Sequence, residues 1–164
     1  MSKYSFIKKT VEDFNSNNTE RKHISVVGVL KPLSIGSMTK ILNCKPIELT
    51  NKINYQLSRI TDLISEIQYK ISNPKYEKVK KNNEFELRVV RQAYAIHRAY
   101  FMKLLYFKGR SVIKNPRSLE VLQTMYKRQL FILNQNYKKT KLMSGIPPEV
   151  SNLNSNDNTQ IPED

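Results

Sequence analysis

The amino-acid sequence predicts an all-α protein: three long helices in a hairpin or coiled-coil arrangement, a small helix-turn-helix-like module before them, and a disordered C-terminal tail. Three observations predict it. Only four glycines (Gly28, Gly36, Gly109 and Gly145) occur in 164 residues, too few for the turns of a many-stranded β fold. Apolar residues recur at steps of three and four over three separate stretches, the spacing of one helix face. Those stretches are punctuated by proline or glycine, which end or open helices. The length suits one domain with appendages: residues 1–45 as an N-terminal module, 46–143 as a long-helix bundle, and 144–164 as the tail. Hydrophobic residues make up 39 % of the chain, below the globular average of roughly 45–50 %, so the expected core is modest.

Residues 1–22 are polar and rich in lysine and asparagine, with a short helix expected at 6–14. The β-branched run at 24–30, Ile-Ser-Val-Val-Gly-Val-Leu, predicts a short strand stopped by Pro32. Ser37 then suits an N-cap and Asn43 a left-handed turn residue, with Pro46 opening the next helix. Met38, Ile41, Leu42, Leu49 and Ile53 would pack these two helices together. That is helix-turn-helix spacing, in which the second helix can enter a major groove.

The clearest periodicity follows. Ile53, Leu57, Ile60, Ile64, Ile67 and Ile71 alternate steps of four and three until Asn73-Pro74. This narrow seam must be buried against another helix, whether of the same chain or another copy. Residues 74–83 read as a lysine-rich connection carrying Lys75, Lys78, Lys80 and Lys81. A second helix is expected from about Glu84 to Phe107, closed by Gly109, with Leu87, Val90, Tyr94, His97, Phe101, Leu104 and Leu105 on one side. Arg88, Arg91 and Arg98 fall together on the other side. A third helix opens at Asn115-Pro116, Asn115 as the cap, and shows Leu119, Leu122, Tyr126, Leu130, Leu133 and Tyr137 on one stripe. Gly145-Ile-Pro-Pro stops it, and the asparagine-rich tail from Ser151 onward is expected to be disordered.

Chemistry is sparse. The sequence holds no Gly-rich phosphate loop, no His-Glu-x-x-His and no nucleophile elbow. His23 and His97 lie far apart, and His97 falls on the apolar side of its helix. Cys44, the single cysteine, reads as a small packed residue and excludes an internal disulfide or a cysteine-cluster metal site. The chain is therefore expected to be non-catalytic and to need no cofactor or metal. No apolar run reaches the roughly 20 residues that span a bilayer. Met1–Thr10 lacks the apolar core of a secretory signal, so an intracellular, cytoplasmic protein is expected.

Charge is the most informative feature. The chain has a net charge of +14, and it is unevenly placed. Residues 1–55 hold net +5, 56–85 net +2, 86–142 net +11, and the last 22 residues net −4. In the third segment only Glu86 and Glu120 oppose thirteen basic residues, whereas ordinary surface helices mix signs to gain i, i+4 pairs. Such helices can neutralise successive phosphates and release counterions. The candidate nucleic-acid contacts are Arg88, Arg91, Arg98, Arg110, Lys114, Arg117, Lys127, Arg128, Lys138 and Lys139, with Lys40, Lys45 and Lys52 from the N-terminal module. Tyr94, Tyr100, Phe101, Tyr106, Phe107, Tyr126 and Tyr137 are interleaved with them, at helical spacing that favours packing over base stacking.

Residues 89–142 carry a further pattern. Val89-Val90-Arg91 leads into an aromatic-containing helix; Asn115-Pro116-Arg117-Ser118-Leu119-Glu120-Val121 follows; a long helix with Asn134 and Asn136 finishes in Lys138-Lys139-x-Lys141-Leu142-Met143. This spacing resembles the central region of small terminase subunits of large contractile-tailed phages. The resemblance implies a non-enzymatic DNA-packaging factor that oligomerises through a central hairpin, binds viral DNA and regulates a large ATPase–nuclease subunit. It would place Pro116, Arg117, Glu120 and Val121 at the hairpin corner, and the protein in a host's cytoplasm. The expected partners are thus nucleic acid, with duplex DNA ahead of RNA, and other copies or subunits of an assembly, but no membrane and no small-molecule substrate. The alternative from composition is a structural RNA-binding protein of a ribosomal or organellar-ribosomal particle; a third is a protein whose basic face meets acidic partners. The acidic tail would screen the basic face until a partner displaces it.

Overall fold

The structure, a computed structural model, describes residues 21–109 and 116–144. Helix accounts for 86 % of them and none lies in a strand, so the class is all-α. Elements run in the order α1 (Val26–Val29), α2 (Met38–Asn43), α3 (Pro46–Ser72), a 3-10 corner (Pro74–Val79), α4 (Lys80–Gly109) and α5 (Pro116–Ser144). The helix at 6–14, the Asn115 cap and the C-terminal tail lie outside the described residues.

The strand expected at 24–30 is instead one turn of helix. Ser25 caps it, its Oγ accepting the Gly28 N–H at 3.0 Å. Ile24, Val29 and Leu30 go into the core, so the β-branched run reported burial rather than extension. Gly36, at φ +121°, then turns the chain toward α2 in a conformation costly for any residue with a Cβ. Ser37 caps α2 through the Lys40 N–H at 3.2 Å.

Asn43, expected to turn left-handed, is the last residue of α2. The corner is made by Cys44 and Lys45, both extended (φ −77°, ψ 161° and φ −74°, ψ 149°). The reason is Pro46: a residue before proline is pushed out of the α region, and Pro46 itself opens α3 as its first residue.

The isoleucine seam of α3 is buried within one chain. Ile53, Leu57, Ile60 and Ile67 are buried, Ile64 and Ile71 partly so, and Leu49 and Leu63 widen the stripe. Its partner is α4. At Asn73 the chain leaves α3, the Asn73 Oδ1 accepting the Lys75 N–H at 3.0 Å to start the 3-10 corner. The lysine-rich segment expected as a connection is therefore shorter, and α4 already begins at Lys80. Lys108 near the end of α4 donates to the Leu42 carbonyl just before α3, so the two helices are antiparallel.

α4 is the central helix. Val90, His97, Phe101 and Leu104 are buried, and so are Glu86, Val89, Ala93 and Tyr100. Against this second group lies α5, through Leu119, Tyr126, Leu130, Asn134 and Tyr137. Phe85 stacks on Tyr137 with ring centroids 5.6 Å apart, and Tyr100 stacks on Tyr126 at 4.1 Å. Rising numbers on α4 meet falling numbers on α5, which makes this pair antiparallel as well. Apolar residues from 24 to 41 join the same core cluster as the three long helices.

Candidate nucleic-acid interface

Two buried polar clusters hold α5 in place and so position its basic residues. In the first, His97 is fully buried. Its Nε2–H donates to the Val29 carbonyl at 2.7 Å, which leaves Nδ1 to accept the Tyr126 O–H at 2.6 Å. The Tyr126 oxygen in turn accepts the Leu33 N–H at 2.8 Å. One network thus joins α1, the 30–36 loop, α4 and α5. Burial removes the imidazolium from water and lowers the His97 pKa to about 4. Burial likewise raises the Tyr126 phenol well above its usual value, and that of Tyr100 to about 12.

In the second cluster, the buried Glu86 carboxylate accepts the Tyr137 O–H at 2.8 Å and the Lys141 ammonium at 2.9 Å, both on Oε2. The Tyr137 phenol is pushed upward by burial and by the adjacent Glu86 charge. One of the two carboxylates that could have offset the positive charge of 86–142 is thereby consumed inside the protein. The sequence does not mark Glu86 as internal, because a glutamate in a basic amphipathic helix ordinarily faces solvent.

Two of the three acids on α3 are taken too. Asp62 pairs with Arg21 at 3.0 Å, and Glu66 with His23 at 2.9 Å and Lys70 at 3.7 Å. The outer faces of α4 and α5 have no such balance. Arg91 and Arg98 on α4, and Lys127, Arg128 and Lys139 on α5, are exposed and have no ion-pair partner among the described residues. Arg88 is exposed as well, its guanidinium 6.0 Å from the Phe85 ring centroid. From residue 87 to 142 the one carboxylate is Glu120, exposed near the start of α5.

The thirteen sequence candidates do not form one patch. Arg88 lies at the end of the bundle where α5 finishes with Lys138 (half-buried) and Lys139. Lys40, Lys45 and Lys52, all exposed, lie at the other end with the exposed Arg117. From Arg88 to Lys108 is about 30 Å along α4. Lys52 borders a small surface pocket with Ser34, Ile35, Gly36, Tyr55 and Gln56. Arg110 and Lys114 lie outside the described residues. Of the interleaved aromatics, Tyr100, Phe101, Tyr126 and Tyr137 are buried, Tyr94 and Phe107 half-buried, and Tyr106 is exposed.

Cys44 is half-buried, its Sγ 3.6 Å from the Ile41 carbonyl. Among the described residues no three His, Cys, Asp or Glu side chains gather into a set that could hold a metal, and no helix is long and apolar enough to cross a membrane. Comparison with models of known protein families, with curated proteins and with solved structures finds no significant match to this chain.

Proposed function

We propose that this protein is a non-catalytic nucleic-acid-binding module that meets the phosphate backbone with the outer faces of α4 and α5. One observation carries the reading: exposed Arg91, Arg98, Lys127, Arg128 and Lys139 stand without ion-pair partners among the described residues, while Glu86, the acid nearest in sequence to Arg91 and Arg98, is locked inside the fold. Cations left unpaired on a rigid scaffold need no rearrangement to meet phosphates, and each phosphate neutralised releases condensed counterions. The helix-turn-helix-like corner between α2 and α3 adds Lys40, Lys45 and Lys52 at the far end. On this reading it extends the footprint. The resemblance of residues 89–142 to small terminase subunits gives the proposal its concrete form: a DNA-packaging factor that binds duplex DNA, assembles with further subunits and regulates a larger motor.

The test is the salt dependence of binding. Fluorescence titrations of duplex DNA, single-stranded DNA and a structured RNA, each over a series of salt concentrations, give the slope of log K against log salt. Changing Arg88, Arg91 and Arg98 together to Gln is expected to lower the slope for duplex DNA by about 2–3, at roughly 0.9 for each phosphate no longer neutralised. The weakening should be the same for different DNA sequences, since phosphate contacts position without specifying. Wild-type protein without affinity for any of the three probes at low salt overturns the proposal. A strong preference for the structured RNA moves it to a structural RNA-binding role.

A further inference from the structure

α5 has a second apolar face that the core does not use. Val121, Met125, Ile132 and Met143 are 55 %, 52 %, 52 % and 77 % exposed, and their spacing keeps them on one side of the helix over about 33 Å. Single exposed apolar residues are ordinary, but four along one side of a helix, interspersed with Arg128, Asn136 and Lys139, mark a contact surface. Beside it, α4 presents the exposed alanines Ala95 and Ala99. Between the helices runs a groove of about 470 Å³, lined by Ala95, Ile96, Ala99, Ile132, Leu133 and Asn136, with Gln129 completing its wall. The small side chains of α4 let a third backbone approach closely, and the long ones of α5 supply the apolar contact.

The charges around this groove choose the occupant. Arg88 lies two turns before Ala95 and Lys103 one turn after Ala99 on the same side of α4; Arg128 and Lys139 punctuate the stripe on α5. All four are exposed and free of ion-pair partners among the described residues. We propose that the groove between α4 and α5 is the docking site for an amphipathic helix of a partner protein whose apolar stripe is edged with carboxylates. This is the helix-in-groove mode of recognition, with apolar anchors for affinity and rim charges for orientation. A second copy of the chain fits poorly, because it would set Arg128 and Lys139 of both copies along one seam. A nucleic-acid strand fits poorly too, since five of the seven lining residues are apolar (Ala95, Ile96, Ala99, Ile132 and Leu133). The inference goes beyond the proposed function; because Arg88, Arg128 and Lys139 serve both readings, the partner helix and nucleic acid would compete for this face.

The probe is a designed 22-residue helix with leucines along one stripe and glutamates on both edges. Two control peptides accompany it: the same residues scrambled, and the same stripe edged with lysine. Binding to the full chain is followed by fluorescence anisotropy at physiological salt. The Glu-edged peptide is expected to bind, and the Ala99→Phe variant to weaken it at least tenfold. Ala99 is exposed and the change is neutral, so the variant should keep the wild-type melting temperature. Equal binding of the scrambled or Lys-edged peptide overturns the proposal, as does indifference to Ala99→Phe. Sedimentation showing a wild-type dimer that Ala99→Phe converts to monomer assigns the groove to a second copy instead. Binding that emerges only after deletion of residues 145–164 assigns it to the chain's own acidic tail. Either result also overturns the partner helix.

Discussion

Glu86→Ala is expected to reduce folding stability by about 3–5 kcal/mol, because it leaves the Lys141 ammonium buried without a counter-charge. The ammonium and carboxylate side chains are only 12 % and 10 % exposed, so solvent screens them little. Tyr137 loses its acceptor in the same step, and a buried polar group left unpaired adds its own penalty. Thermal and urea denaturation read the effect directly, as a fall in melting temperature of roughly 10 °C or more. The physical cause is separable from simple loss of packing. Replacing both partners, Glu86→Leu with Lys141→Met, is expected to recover most of the stability, since paired burial of charge adds little over apolar residues of similar volume. A double variant as unstable as Glu86→Ala would refute the charge explanation. The end of α5, with Lys138 and Lys139, depends on this anchor. The single variant should therefore also weaken any ligand held there.

Stability is also expected to fall steeply with mild acid, through His97. Its folded pKa is about 4 against an ordinary 6.5. Between those values the unfolded chain binds a proton that the folded protein does not, so stability is complete above about pH 6.5 and declines as pH drops toward 4. The full span amounts to about 3 kcal/mol, with a slope near 1.4 kcal/mol per pH unit. Protonation would also strip Nδ1 of the lone pair that receives the Tyr126 O–H, the bond that joins α5 to α4 in this network. Urea titrations at pH 7, 6 and 5 measure it. A His97→Gln variant is expected to be less stable at pH 7 but to lose most of the decline between pH 6.5 and 5, above the range where carboxylates titrate. An unchanged pH profile in that variant would refute the His97 explanation.

Much of the fold is legible in the chain itself, for a local reason. A helix is written by a 3.6-residue repeat within a single segment, and α3, α4 and α5 each carry one. Their boundaries rest on proline and on short capping side chains: Ser37, Pro46 and Asn73 act where the sequence places them. Residues 24–30 mislead because Ile, Val and Leu report that a segment will be buried, while one turn of helix buries them as well as a strand does. Asn43 misleads because the proline at 46 settles the corner through Lys45 before any left-handed residue is needed.

The candidate interface is legible in a different measure. Which side chains are basic is plain from the sequence, and so is their concentration in 86–142. Which of them are left without partners is decided by residues far away in the chain: Arg21 and His23 take Asp62 and Glu66 of α3, and Tyr137 with Lys141 takes Glu86. No periodicity announces such pairs, because they link positions 41 to 55 residues apart. The second buried face of α4 escapes for a related reason. It is built from Glu86, Val89, Ala93 and Tyr100, a mixture that no hydropathy pattern singles out.

By itself, then, the sequence determined that this protein is helical, where its long helices run, and that one stretch carries most of its positive charge. Tertiary structure decided that the isoleucine seam is satisfied by α4 of the same chain, that His97 and Glu86 are internal, and that an apolar stripe on α5 remains uncovered. The division follows from what each kind of information contains. An apolar stripe states how much surface must leave water, and only the packing of the helices states what covers it.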